Sequence, residues 1–405
     1  MPLLSSLIDL LTAPAWSLLV LLAGAGVLGA SLQAQGVVQR LVARACRGQP
    51  GFAGLCWRMT ALVGATAWML PSTSARAALC LPVFSGLATH LHHPAQRRAM
   101  ALLLPTTVLL SAGGSLMGAG AHLLAVDALR AQGLPAPGYL DWLLWAAPFA
   151  ACACGLATLV VLRGMVPAAQ RGARIALPQA PLPPWTPVQL RLIGLTLATV
   201  LMWALSPWTG VEPALVAVAA ALLAAWPRWG GTPVAQALRG VDLRMLLFLA
   251  ASLLLAEAVV ASGVAHWLAD RLLSPARQLG PTSLLAAVAA VSLLLHLLVT
   301  SRSGRVAVLL PVLVLPLTLA LSDPQGTTAR VLVMAAVMGT GFCQTFAISS
   351  KAMLLFTRHP QSGIGPGDLL RLSLLLLLPL WVLLMAFGLW VWPALDPFTQ
   401  PLARP

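Results

Sequence analysis

The chain alternates long apolar runs with short polar interruptions. Runs long enough to cross a hydrocarbon core of roughly 30 Å fall near 14–34, 100–126, 140–162, 190–208, 244–262, 329–357 and 369–393, with a shorter one near 213–227. They predict about eight transmembrane helices. Two further apolar stretches, near 56–90 and 281–320, are too long for one span and are interrupted midway by phrases rich in Ser and Arg. These predict re-entrant hairpins, because backbone that leaves the helix at membrane depth must be buried in protein or line a watery cavity. The expected fold is an all-α polytopic membrane protein of about eight helices and two hairpins.

The two interruptions are copies. Ser72, Ser74, Arg76, Leu81, Pro82 and Val83 recur as Ser301, Ser303, Arg305, Leu310, Pro311 and Val312, each 229 positions later. A second match pairs QGVVQRLVAR, Gln35 to Arg44, with SGVAHWLADR, Ser262 to Arg271, at an offset of 227. Counting spans between the copies gives the halves opposite orientations, the inverted-repeat pattern of secondary transporters. The second half opens with helices near 190–208 and 213–227 that the first lacks, so the first repeat is expected to be shortened. The expected segments are a scaffold span with amphipathic arm (1–55), a hairpin with broken helix (56–126), a span and linker (140–190), a scaffold pair with its arm (191–280), the second hairpin with broken helix (281–357), and a last span with tail (369–405).

A second polar phrase follows each hairpin: SAGGSLMGAGAHLL from Ser111 and GTGFCQTFAISSKAMLL from Gly339. Glycines and serines in mid-span predict unwound helices. His122 and Lys351, the only lysine of the chain, again stand 229 apart. The hydroxyls of Ser72, Thr73, Ser74, Ser301 and Ser303, with the first amides of each returning helix, suit an anion. Arg76, Arg302 and Arg305 add planar forks that match carboxylate, phosphate or sulfate oxygens. An arginine near mid-membrane costs about 2.5–3.5 kcal/mol on insertion scales. Three of them at the turns therefore call for partners, and a multivalent anion is the expected one. The alternative is that each arginine reaches the headgroups and only anchors its turn; for His122 and Lys351 it is ordinary polar packing. Glu257, in SLLLAEAVVASG, is a candidate proton carrier, as is His122; near the end of its span, Glu257 is rather expected to be a solvated structural residue. For His296 a hydrogen bond within the second hairpin is expected.

Composition narrows the class. With 59% apolar and 8% charged residues and a mean hydropathy of +0.90, the chain departs from soluble domains, which carry about 25% charged residues. The net charge of +14 is scattered singly between spans rather than gathered into a stripe, so no nucleic-acid partner is expected. Placing the arginine-rich loops inside satisfies the positive-inside rule. It puts both termini in the periplasm of a Gram-negative host, in a bacterial inner membrane. A basic n-region and cleavage pattern are missing, so no removed secretory signal is expected. Six cysteines without a CxxC pair predict neither disulfides nor a metal site. No phosphate loop, nucleophile with its base, or metal-ligand cluster points to an enzyme or a cofactor.

Through Ser72, Thr73, Ser74 and Ser301, Arg302, Ser303, the chain resembles the divalent anion/sodium symporter family of the ion transporter superfamily, here N-terminally shortened. That family carries a Ser-Asn-Thr motif at each of two hairpin tips, followed by small residues and Leu-Pro. SAGGSLMGAGAHLL is similar to its broken helix, and LLMAFGLWVWPAL, Leu383 to Leu395, to its last span. The resemblance covers nearly the whole chain except the family's first three scaffold helices. It implies a dimer whose transport domain carries substrate between the tips in an elevator motion, with two sodium sites near family asparagines. Thr73, Arg302, His122 and Lys351 stand where those asparagines would be. Arg302 and Lys351 would put fixed charge where sodium sits, whereas Ser72, Thr73, Ser74 and the Gly118 region could still ligate a cation. Fixed charges cannot be released inside, which favours a carrier that returns loaded. The expectation is sodium-independent exchange of small di- or tricarboxylate-like anions; proton- or sodium-coupled symport and a transport-inactive homologue are the alternatives.

Overall fold

A computed structural model describes residues 14–45, 47–70, 72–131, 133–177, 183–239, 280–314 and 326–395, with isolated positions between 241 and 254. Glu257, the second amphipathic arm Ser262 to Arg271, and most of the run at 244–262 lie outside the described residues. The described residues form helices joined by short turns. One isolated bridge, Gly51 to Arg174, is the sole extended pairing among them.

Numbering the helices of seven or more residues in chain order, the first half contains α1 (Pro14–Ala34), α2 (Val37–Ala45), α3 (Phe52–Ala65), α4 (Thr73–Ala88), α5 (Pro94–Ser111), α6 (Gly120–Ala131) and α7 (Tyr139–Met165). The second contains α8 (Pro187–Ala204), α9 (Pro213–Ala225), α10 (Pro281–Leu294), α11 (Arg302–Leu309), α12 (Thr327–Gly339), α13 (Lys351–Thr357) and α14 (Pro366–Ala386). Segments in α1, α7, α8 and from α14 to Ala394 are long and apolar enough to cross a membrane. The runs at 100–126 and 329–357 are pairs of helices, α5 with α6 and α12 with α13, separated by non-helical backbone where the mid-span glycines and serines predict unwinding. The run at 213–227 yields the 13-residue α9.

α1 lies against α9 at a small-residue crossing, where a Cβ on Gly24 would stand 2.7 Å from the Ala217 carbonyl oxygen. The outward stripe of α14 is Leu370, Leu374, Leu378 and Val382, with 64% and 65% exposure at its two central leucines. Spaced four apart on one helix face, such a stripe needs an apolar solvent. Lipid supplies it in a multi-pass membrane protein.

The two polar interruptions share one local design. α3 and α10 are both 14-residue helices, each prolonged by a three-residue 3₁₀ turn, Thr66–Trp68 and Leu295–Leu297. A short non-helical link then leads into α4 or α11. Ser72 and Ser301 cap those helices by accepting from the amides of Ala75 (3.3 Å) and Gly304 (3.2 Å). Such a cap satisfies one of the otherwise orphaned amides of a first turn. The repeated Leu-Pro-Val has two outcomes. Pro82 sits inside α4, whereas Leu310–Val314 is a π turn that continues α11. Proline removes a helical donor in both cases, and a π turn is one local way to absorb the loss.

Candidate functional site

The breaks position the site. Between α5 and α6 the backbone runs through short 3₁₀ turns, with Ser115 and Ala119 fully extended. A side chain on Gly118 would overlap the Ala112 carbonyl, so this residue must be glycine for the chain to fold back on itself. Carbonyls released from the helix receive indole donors: Trp142 Nε1 donates to Gly113 O (3.0 Å) and Trp68 Nε1 to Gly114 O (3.3 Å). The break between α12 and α13 is met by His296 from the turn after α10: its Nδ1 meets Leu293 O at 2.6 Å and its Nε2 meets Thr345 Oγ1 of the break at 2.7 Å. The carbonyl only accepts, so Nδ1 carries the proton and Nε2 accepts from the threonine. His296 thus ties the second turn to the second break, which extends the hydrogen-bonding role expected within the hairpin.

A cavity of about 370 Å³ lies between the two turns and the two breaks. The first turn contributes Ser72, Thr73 and Ser74, and the second contributes Thr300, Ser301, Arg302, Ser303 and Arg305. The breaks add Ala119 and Gly120 on one side and Cys343, Ile348, Ser349, Ser350 and Lys351 on the other. The N-termini of α4, α6 and α11 all open on it, each with unpaired amides and a partial positive charge. No carboxylate is among the described lining residues. The Ser349 hydroxyl and Arg302 Nε are buried without a protein partner. A buried donor left unmade costs about 1–3 kcal/mol, and an acceptor in the cavity would relieve both.

Arg302 crosses from the second repeat into the first. Its Nη1 donates to Leu109 O at 3.4 Å, and its Nη2 lies 3.1 Å from His122 Nε2. His122 is fully buried and its Nδ1 meets Ser115 O at 2.8 Å. That carbonyl fixes the tautomer, leaving Nε2 as the acceptor for the guanidinium. Gly113 and Gly341, one from each break, leave room for the head group: a Cβ would stand 4.0 and 3.4 Å from Nη2. His122 does not line the cavity; it orients a residue that does.

Arg76 and Arg305 stay behind the surface. Arg76, 1% exposed, donates to Thr66 Oγ1 (2.9 Å), Val108 O (3.1 Å), Val63 O and Ser111 Oγ (both 2.7 Å). It is absent from the cavity lining, so the substrate-ligand role expected for it is replaced by a tie between the first turn and α5. Arg305 donates to Val299 O (2.9 Å), Thr300 O (3.3 Å) and Thr340 O (2.8 Å), and only its edge reaches the cavity. Ser111 and Thr340 are themselves 229 apart, so the two arginines make equivalent ties. Gly118 is likewise not brought to Ser72, Thr73 and Ser74; its neighbour Ala119 faces the cavity. Ser349 was not singled out in the sequence, although the Ser-Ser-Lys run before α13 has the pattern of a helix cap. Ser350 is that cap, accepting from Met353 N at 3.1 Å.

No functionally curated protein matches the sequence. Among solved structures, the YdaH transporter of Alcanivorax borkumensis superposes with a TM-score of 0.65 at 17% identity, over 96% of this chain and 88% of that one. MtrF of Neisseria gonorrhoeae, from a class described as antimetabolite efflux pumps, superposes with a TM-score of 0.62 at 16% identity, over 93% and 81%. At such identities the likeness establishes the helical transporter fold alone. A family model described as citrate transporter, CitMHS, matches residues 1–339, and the chain belongs to that family.

Proposed function

We propose that the protein is a secondary transporter of small multivalent organic anions, of the di- and tricarboxylate type, which it binds between its two turns. The observation that carries this reading is the composition of the cavity wall. Arg302, Lys351, three helix N-termini and an unpartnered serine converge on it, and no described carboxylate opposes them. The family membership fits a carboxylate substrate. The finer kinship with divalent anion/sodium symporters rests on the turn motifs and is part of the proposal, as are re-entrant hairpins at the two turns. So is a moving body formed by both turns and both breaks, carried past α1, α8 and α9 in an inner membrane.

Coupling follows from chemistry. Arg302 is held between the breaks and cannot leave with the substrate, so an empty carrier would return with its guanidinium unsatisfied. Moving one charge through the membrane potential is worth about 2.3 kcal/mol per 100 mV, and a carrier reloaded with another anion avoids moving the bare cation. We therefore favour sodium-independent exchange. A proton on His122 would face the Arg302 guanidinium at 3.1 Å, which argues against this histidine as the coupling site. Proteoliposomes loaded with unlabelled citrate or succinate test the reading: labelled substrate should enter loaded vesicles and not empty ones, without a sodium gradient. Equal uptake into both would end the exchange assignment, and no uptake with any carboxylate would end the substrate assignment.

A further inference from the structure

A second basic site lies far from the turns, on the arm that follows α1. In α2, Val37, Val38 and Val42 face the protein and are buried, while Arg40 and Arg44 lie one turn apart on the other face. Arg47 follows just beyond the helix end. Together with Gly48 and Pro183–Trp185 these three arginines line a groove of about 560 Å³. No carboxylate is among its described lining residues.

The groove is held in shape on every side. The Arg40 guanidinium lies 4.6 Å above the Trp185 ring and donates to Gln189 Oε1 at 2.7 Å. Gln189 is fixed in turn by donating to Gln35 O at 2.8 Å. The loop carrying Arg47 is pinned by Leu177 N to Gly48 O (3.2 Å), Ile175 N to Pro50 O (2.9 Å) and Arg58 Nη1 to Arg47 O (3.2 Å). Arg44 also neutralises the end of the α2 dipole, and all three guanidinium groups converge on the one groove.

Its depth identifies the occupant. The 21 residues of α1 extend about 31 Å at 1.5 Å per residue, one hydrocarbon thickness, and the groove begins just past their end. On the other wall, Pro183–Trp185 immediately precede the apolar α8. The groove therefore sits at headgroup level, where tryptophan and arginine are at home. Basic grooves at this level are suited to lipid phosphates.

We propose that Arg40, Arg44, Arg47 and Trp185 form a binding site for the headgroup phosphate of an anionic phospholipid. The site is independent of the transport reading, since it shares no residue with the cavity between the turns. Native mass spectrometry of the full chain, released from detergent with phosphatidylglycerol or phosphatidylcholine of identical acyl chains, tests it. The wild-type chain should retain phosphatidylglycerol preferentially. The variant R40Q/R44Q/R47Q should lose that preference, by roughly fivefold for each guanidinium removed, with phosphatidylcholine adducts unchanged. R44Q alone, at an exposed position, gives the same reading at one-step size should the triple variant fail to fold. Equal retention of both lipids by the wild type, or an unchanged preference in R44Q, would overturn the proposal. Displacement of the lipid by millimolar inorganic phosphate would assign the groove to a free anion instead and equally overturn it.

Discussion

Arg76 and Arg305 fill equivalent places in two copies of one turn, and both clamp the turn to the break beside it. Thr73 and Arg302 are also equivalent places, as are His122 and Lys351, yet here the two copies carry different chemistry. In the arginine pair the side chain holds the turn in shape, while Ser74 and Ser303, also repeated in register, line the cavity. Where the copies differ, the side chain faces the cavity or directs a neighbour that does. The charge repeated in register thus belongs to the framework, whereas the two unmatched pairs differ in what they bring to the cavity. The physical reason is that buried turn carbonyls must be satisfied in both copies, whereas under the proposed function an anion bound between the turns needs its positive partner from one side only.

The comparison can be broken most severely at Arg76. Replacing it by alanine would remove a donor from two buried carbonyls and two hydroxyls, and we expect a loss of about 3–5 kcal/mol, read as a large fall in Tm in detergent. Arg305→Ala should cost less, since the cavity admits water to the freed carbonyls. Unchanged Tm in the Arg76 variant with transport abolished would reverse the assignment. Next in size, Arg302→Gln should preserve Tm but lower exchange of labelled citrate about 100-fold, the effect expected for truncating a buried charge partner. Normal exchange in that variant would remove the guanidinium from the site.

His122 sharpens the same contrast on a smaller scale. His122→Ala should raise the KM for the anion about five- to tenfold, with His122→Gln recovering part of the loss because its carbonyl can accept from Arg302. Combined with Arg302→Gln, the His122 substitution should add nothing, as expected for groups acting as one unit. The smallest effect is expected at Ser349, where alanine should weaken substrate binding about two- to fivefold in a competition assay. A stronger effect there than at His122 would mean that the hydroxyl, not the oriented guanidinium, sets affinity.

Much of this was legible in the sequence because glycine, serine and arginine inside apolar runs have few structural uses. The 229-residue register located both turns and both breaks, whereas the capping of α4 and α11 by Ser72 and Ser301 shows only in the structure. Composition could not show what a buried guanidinium touches. Arg76 reads as a substrate ligand until the Val63 and Val108 carbonyls are seen around it, and no side-chain pattern announces a free carbonyl. The Arg302–His122 contact spans 180 positions and joins opposite repeats, so matching each residue to its own copy concealed it.

Lys351 remains the sole lysine of the chain, and it lies exposed on the cavity wall. Its ε-amine is therefore a solitary target for mild acylation or reductive methylation, distinguished from the α-amine by mass mapping. Reagent uptake at that one atom becomes an occupancy gauge: any solute that shields it reports its own residence, with no radiolabel, vesicle or engineered probe.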